Sequence, residues 1–344
     1  MSERNFWTNQ SVLVTGLTGF IGCWLAERLL ALGARVVGYD LDLAHALGLH
    51  PGLAERVTLI RGDILDTSAL AAAFREHKIG VCFHLAGQSM IETGLASPAK
   101  TFEINVRGTW SVLEAAKAAG VERIIVSSSN TVYGPQARYP FSEDAALNGE
   151  HPYAASKACC DILTRSYAKT LNLHAVACRQ TNTFGGADPH ATHIVPASIL
   201  ALLAGEPPLI KSDGTPSKSY LYVEDTVEGY LRLAEMASDP RVSGQAFNIT
   251  AEPPVSVLEL VRTIITVSGS GAQPHVLGTA ETTRKEHEHL SPAAARSVLG
   301  WSPRHSLAEG LTKTIGWYRL NLGLYHSVVK QYGHHIPSPA SRPA

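Results

Sequence analysis

The chain is short of net charge, of long apolar runs and of cysteine, and each shortage removes a class of function. Lys and Arg number 29 against 30 Asp and Glu, so no excess of one sign is present to grip nucleic acid or an anionic bilayer. No hydrophobic run approaches the ~20 residues that cross a membrane, and the opening Met1-Ser-Glu-Arg-Asn-Phe-Trp7 has no apolar signal core. The expectation is a soluble cytoplasmic protein. Cys23, Cys82, Cys159, Cys160 and Cys178 lack metal-ligand spacing, so they read as small buried hydrophobes, with no metal expected. Apolar residues, by contrast, make up 45% of the 344, enough for a large core in a chain longer than one average domain.

Two motifs carry chemistry. Gly16-Leu-Thr-Gly19-Phe20-Ile21-Gly22 separates Ser11-Val-Leu-Val-Thr15, a β-branched run that reads as a buried parallel strand, from residues 24–32, which read as a helix. A strand, a glycine turn and a helix make a cradle for a pyrophosphate: the turn is tight, the backbone can approach closely, and unpaired N–H groups at the helix N-terminus face the phosphates. The next strand, Arg35-Val-Val-Gly-Tyr39, ends in Asp40, at the offset of about 20 residues expected for an acid that accepts from ribose hydroxyls. A carboxylate there repels a 2′-phosphate, so NAD is expected over NADP, although nearby Asp42 leaves the register open. The second motif is Tyr153-Ala-Ala-Ser-Lys157. On a helix its Tyr and Lys share one face about one turn apart. A nearby ammonium favours phenolate over phenol, and a phenolate can take the proton of a sugar hydroxyl as hydride leaves the carbon.

Elsewhere strand-like runs alternate with helical ones: 57–61 then 67–77, 81–85 then 99–119, 123–128 then 153–171, and finally 174–179. This alternation predicts an α/β fold with a doubly wound parallel sheet, in which ligands lie beyond the carboxyl ends of the strands. Asp63-Ile64, Leu85-Ala86-Gly-Gln88, Ser127-Ser-Ser129 and Asn182 all fall at such ends. After about residue 180 Pro and Gly become frequent, and helical stretches at 194–204, 257–268 and 307–322 read as a smaller substrate-covering region, while 223–236 and 246–249 return to the sheet.

These motifs resemble those of extended short-chain dehydrogenases/reductases in the branch that acts on nucleotide-sugars. The likeness runs from Phe6 to Tyr318. It rests on the glycine motif, Gly62-Asp63-Ile64, His84-Leu85-Ala86-Gly-Gln88, Asn105-Val-Arg-Gly-Thr109, Ser127-Ser-Ser129-Asn130-Thr131-Val-Tyr133-Gly134, the Tyr153–Lys157 pair and Leu299-Gly-Trp-Ser-Pro303. The resemblance implies a Rossmann domain of residues 1–180 with 223–252 and a C-terminal α/β substrate domain of 181–222 with 253–330; the tail of 331–344, rich in Pro, Ser and His, is expected to be disordered. It also implies NAD held by Gly16, Gly19, Phe20, Ile21, Gly22, Asp40, Asp63, Ile64, Leu85, Ala86, Gln88, Asn105, Tyr153 and Lys157, with Asp63 on adenine and Asn105 ordering the active-site helix. Tyr153, Lys157 and Ser129 would be catalytic. A UDP- or CDP-hexose would meet Gln88, Ser129, Asn130, Tyr153, Asn182, Lys218 and Arg284, and a homodimer would pair helices 99–119 and 153–171 across a two-fold axis.

Within that branch, three segments are similar to CDP-glucose 4,6-dehydratases: Phe6-Trp7 with Thr18-Gly-Phe20 and Trp24-Leu25, then Ala201-Leu-Leu-Ala-Gly-Glu-Pro207, then Gly229-Tyr-Leu-Arg-Leu-Ala-Glu235. The chain departs from dehydratases where elimination of water needs an acid and a base directly after the Ser. Those positions hold Asn130 and Thr131, neither of which titrates usefully, and the line Ser128-Ser129-Asn130-Thr131-Val-Tyr133 resembles that of 4-epimerases. The expectation is therefore a 4-epimerase, working by transient oxidation at C4 with no net redox. A 4,6-dehydratase and a 2-epimerase of the CDP-tyvelose type stay open. Lys218 stands where many relatives carry an Arg for phosphate, offering a point charge in place of a fork, with Arg284 as the candidate fork.

Overall fold

A computed structural model describes residues 5–44, 46–136, 138–278 and 287–331. Its centre is a parallel sheet built from β1 (Ser11–Thr15), β2 (Arg35–Asp40), β3 (Thr58–Arg61), β4 (Val81–His84), β5 (Arg123–Ser127), β6 (His174–Gln180) and a seventh strand, Ala246–Ile249. Their spatial order is Ala246–Ile249, β6, β5, β4, β1, β2, β3. All adjacent pairs are parallel, with Val12 opposite both Val36 and Val81. Strands inside such a sheet are buried on both faces and so are largely apolar. β1 illustrates this: all five residues are buried, Val12 and Val14 joining one core and Leu13 the other.

The first core lies under α1 (Phe20–Ala31) and the helix Val223–Met236, through Leu25, Leu29, Val227 and Tyr230. The second lies under α2 (Thr67–Glu76) and the helices Gly108–Ala119 and Pro152–Leu171, through Leu70, Phe74, Val112 and Leu113. The chain turns outward from β1 to β2 in one direction and from β4 to β5 in the other, so the carboxyl ends of β1 and β4 border the crevice where a doubly wound sheet receives its ligand.

A third core, containing Phe184, Tyr222, Leu260, Ile264, Leu311 and Tyr318, gathers the helices Ile194–Leu203, Val257–Ser268 and Leu307–Gln331. Strand Asn182–Phe184 pairs with Tyr220–Tyr222, and Ser217–Lys218 pairs with His287–Glu288, both in parallel. A capping box of Ser256 and Glu259 starts the helix Val257–Ser268, and Gly269, at φ +75°, ends it.

Several boundaries differ from the sequence reading. The helix expected over 99–119 is interrupted: Pro98–Phe102 is α-helical, Glu103–Arg107 opens into a wide π-type turn, and Gly108–Ala119 resumes the α-helix. A separate short helix, Ile91–Ala96, precedes it. The last helix runs on to Gln331 and bends where Asn321 leaves helical geometry (φ −117°, ψ 19°). Among the described residues no helix is long and apolar enough to cross a membrane. The expected tail lies outside the described residues from 332 onward.

Candidate active site

The glycine turn after β1 leaves no room for side chains. Gly16 sits at φ +73°, and a Cβ there would stand 2.6 Å from the Ala86 backbone nitrogen. A Cβ on Gly22 would stand 2.2 Å from the Gly16 carbonyl oxygen. The turn is therefore pressed against the end of β4 and against the first turn of α1, whose N-terminus at Gly19 has no side-chain cap. Phe20 and Ile21 open that turn with N–H groups that have no intrahelical acceptor. Leu85 N–H donates to the Thr15 carbonyl (3.0 Å) and Ala86 N–H to Thr15 Oγ1 (3.3 Å), which locks the two loops together.

Asp40 is bound into the same turn. Its Oδ2 accepts from Thr18 Oγ1 at 2.7 Å and from Thr18 N–H at 3.2 Å. The Asp42 carboxylate instead accepts from Ala44 N–H in the following loop (3.0 Å), its backbone carbonyl being what Thr18 Oγ1 reaches (2.8 Å), so of the two carboxylates it is that of Asp40 that is bound to the glycine turn. Asp63 is exposed and accepts from Leu65 N–H (2.9 Å). Ile64 is buried in the second core, against Gly108, where a Cβ would stand 2.5 Å from its Cδ1. The Ile64 side chain is thus committed to packing.

Asn105 occupies the middle of the π-type turn, which carries it inward to 2% exposure. Its Oδ1 accepts from Gln88 N–H (2.8 Å), and its Nδ2 donates to the Gln88 carbonyl (3.0 Å) and to Ser156 Oγ (2.9 Å). One amide thereby ties the loop after β4 to the helix Pro152–Leu171. Behind it, Thr109 Oγ1 donates to the Asn105 carbonyl (2.6 Å), and His84 lies between Thr109 Oγ1 (3.2 Å from Nε2) and Thr15 Oγ1 (2.8 Å from Nδ1). Burial, with help from the Lys157 charge, pushes the His84 imidazolium down to about 3, so the ring is a neutral strut. Gln88 Nε2 donates to the Met90 carbonyl (2.7 Å), while its Oε1 is buried and has no partner among the described residues.

Tyr153 and Lys157 stand one turn apart near the start of the helix Pro152–Leu171. Tyr153 is half-buried, its ring parallel to His151 at 6.1 Å. Lys157 is 6% exposed and donates to the Ser127 carbonyl (2.8 Å); its Nζ lies 3.7 Å from where a Gly87 Cβ would be. The ammonium is therefore held between the ends of β4 and β5. Ser129 follows in extended conformation and caps the short turn Asn130–Tyr133, accepting from Thr131 N–H (3.2 Å) and donating to Asn130 Oδ1 (3.2 Å). A buried ion pair anchors this line from below. Arg179 Nε and Nη2 donate to Asp161 at 2.8 and 3.0 Å, and Arg179 Nη1 donates to the Tyr133 hydroxyl at 2.7 Å. Burial pushes the Tyr133 phenol up to about 12, and it donates to Asn248 Oδ1 at 2.6 Å.

The remaining candidates converge on a residue that the sequence reading missed. Asn130 Nδ2 donates to Glu288 Oε2, Asn182 Nδ2 reaches the same oxygen at 3.4 Å, and Lys218 Nζ donates to Glu288 Oε1 at 3.2 Å. Lys218 therefore carries a carboxylate partner at the place expected for a phosphate contact. Arg284 lies outside the described residues.

A family model, "NAD dependent epimerase/dehydratase family", matches residues 12–250. The chain belongs to this family. It is 35% identical over 316 residues to the UDP-glucose 4-epimerase of Mycolicibacterium smegmatis, covering 89% of this chain and 98% of that one. To the CDP-glucose 4,6-dehydratase of Salmonella typhimurium it is 27% identical over 339 residues, covering 93% of each. Among solved structures, the dTDP-glucose 4,6-dehydratase of Streptomyces venezuelae with NAD bound superposes with a TM-score of 0.80 at 27% identity, covering 93% of this chain and 100% of that one. The nucleotide-sugar branch, the Rossmann fold and NAD as cofactor thus stand as read from the sequence. The cradle suits that cofactor: the α1 N-terminus is uncapped, a Cβ at Gly16 is excluded by the end of β4, and Gln88, in the loop after β4, has an Oε1 without a partner among the described residues.

Thr18, which fixes Asp40, and Glu288 are the residues that spacing did not reveal. A Thr between two glycines carries no signal of its own partner. Glu288 lies in the run Lys285-Glu-His-Glu-His289, outside every motif named above.

Proposed function

We propose that the protein is a nucleotide-sugar epimerase acting at C4 of a UDP- or CDP-hexose. The observation that carries this reading is the line after β5. Ser129, Asn130 and Thr131 bond to one another, and this line offers no acid and base pair of its own for removing water. Gly16, Gly19, Phe20, Ile21 and Gly22 would hold the pyrophosphate of NAD, Asp40 a ribose and Asp63 the adenine; when bound, NAD supplies an acceptor and donor for the C4 hydrogen. Tyr153 takes the C4 hydroxyl proton and later returns it. Lys157, fixed by the Ser127 carbonyl, lies one turn away on the same helical face. Ser129 holds the reacting oxygen, while Asn182 and Lys218 anchor the far end of the nucleotide-sugar. The region of the third core forms the substrate-covering lobe, 181–222 with 253–330.

A second reading, a 4,6-dehydratase, is favoured by one observation. Glu288 places a carboxylate on Asn130, beside the position where dehydratases carry their acid. A panel of UDP-, CDP-, GDP- and dTDP-hexoses, read by mass spectrometry and proton NMR, separates the two: unchanged mass with an inverted ring coupling supports the epimerase, and loss of one water supports the dehydratase. The protein is further proposed to be a homodimer. Phe102, Trp110 and Ile162, on the helices Pro98–Phe102, Gly108–Ala119 and Pro152–Leu171, are 37%, 43% and 53% exposed, and apolar residues of that size sit more comfortably in an interface than in water.

A further inference from the structure

Glu288 stands two hydrogen bonds from Ser129: Ser129 Oγ donates to Asn130 Oδ1, and Asn130 Nδ2 donates to Glu288 Oε2. A hexose whose C4 oxygen lies on Ser129 therefore has Glu288 within reach of its ring substituents. The position of the carboxylate is fixed by its neighbours. His287–Glu288 pairs with Ser217–Lys218. Phe141 N–H then donates to the His289 carbonyl (2.7 Å), and Ser291 N–H donates to the Phe141 carbonyl (2.8 Å). The Glu288 side chain is only 15% exposed. An ionised carboxylate has about four lone-pair sites, and Asn130, Asn182 and Lys218 approach three of them, so acceptor capacity is left for a ligand.

We propose that Glu288 sets the class of sugar the site takes. Hexoses that present hydroxyl or ammonium donors are accepted, and hexuronates, which bring a carboxylate of their own, are rejected. The reason is electrostatic. Lys218, on Oε1, offsets part of the Glu288 charge, but a second anion brought in along the Ser129 and Asn130 side meets Oε2 first, across a medium of low effective dielectric, and like charges placed together are a common device for excluding the wrong partner. The proposal rests on the nucleotide-sugar reading, but it holds for either the epimerase or the dehydratase, because it concerns binding.

The test measures dissociation constants of UDP, UDP-glucose and UDP-glucuronate, and of the corresponding CDP compounds, on the NAD-loaded full chain and on its Glu288→Gln variant. The wild type should favour the hexose over the hexuronate by at least about tenfold. Glu288→Gln should bring that ratio within about threefold, and each affinity is expressed against that for the bare nucleotide, which lacks the sugar, so that any change in the hold of Lys218 and Asn182 on the diphosphate cancels. Equal wild-type affinities for hexose and hexuronate would overturn the proposal, as would a ratio that survives in Glu288→Gln. Should that variant fail to fold, the wild type decides with the 6-amide of UDP-glucuronate, which has the size of the hexuronate without its charge: electrostatic rejection predicts binding within about threefold of the hexose, and rejection as strong as that of the hexuronate counts against it. A hexose that binds selectively but is never isomerised would sink the epimerase reading and leave this one standing. Isomerisation of hexose and hexuronate alike would do the reverse, and failure to bind any of the nucleotides would sink both.

Discussion

Acidification should weaken the fold through His84. The folded ring is neutral, buried between Thr15 and Thr109, and its imidazolium is pushed from 6.5 to about 3. In the unfolded chain it titrates at its ordinary value. Between those two values the unfolded state binds a proton that the folded state refuses, so unfolding free energy rises with pH across this window. The contribution is fully present above about pH 6.5 and drains away as pH falls toward about 3. At about pH 5 the loss is ~2 kcal/mol, being ~1.4 kcal/mol for each of the roughly 1.5 units below the unfolded value. That figure depends on the unfolded value alone, so long as the folded one lies well below 5. His50, pushed down to about 4 by burial, adds a similar slope to the wild type. The comparison with His84→Gln isolates His84. Urea unfolding of both proteins at about pH 7.5 and about pH 5, without NAD, should show the stability gap shrinking by ~2 kcal/mol in acid. A gap that stays constant would refute the picture of a neutral strut.

Other consequences follow from the same geometry. Tyr153→Phe should abolish turnover, by at least about a thousandfold, with NAD affinity preserved; retained activity would remove Tyr153 from its assigned role. Gly16→Ala forces a Cβ to 2.6 Å from the Ala86 nitrogen at φ +73°, so NAD affinity measured by fluorescence quenching should drop sharply, and normal affinity would mean that the cradle tolerates widening. Arg179→Met leaves Asp161, fully buried, with Arg165 alone; a loss of about 3–5 kcal/mol in denaturant unfolding is expected, and a loss under about 1 kcal/mol would show that the pair anchors nothing. Light scattering should give a dimer for the wild type and a monomer for Trp110→Lys combined with Ile162→Lys, and a monomeric wild type would contradict the proposed interface.

The parts of this site that could be read from the sequence are those written in local stereochemistry. A turn that needs positive φ at Gly16 and excludes a Cβ at Gly22 can hold little but glycine, and strands buried on both faces must be apolar throughout. Tyr153 and Lys157 share a helical face by spacing alone. Asn105 was legible as a residue but not in its manner of working, because the π-type turn Glu103–Arg107 that swings it inward has no compositional mark. Lys218 and Glu288 were opaque for another reason. Their meeting depends on two-residue strands about 70 positions apart, and the phosphate role read for Lys218 does not anticipate the contact. Asn321 ends the straight part of the last helix where the pattern stopped, yet Tyr325, Val328 and Val329 re-enter the third core beyond it.

The most direct test of the central claim is the product formed from UDP- and CDP-hexoses in deuterated water. An epimerase at C4 returns the same hydrogen to the same carbon, so the account predicts a product of unchanged mass, free of carbon-bound deuterium, with the H4 couplings inverted. A product lighter by one water, carrying deuterium at the ring carbon next to a 6-deoxy group, would contradict it and favour the dehydratase.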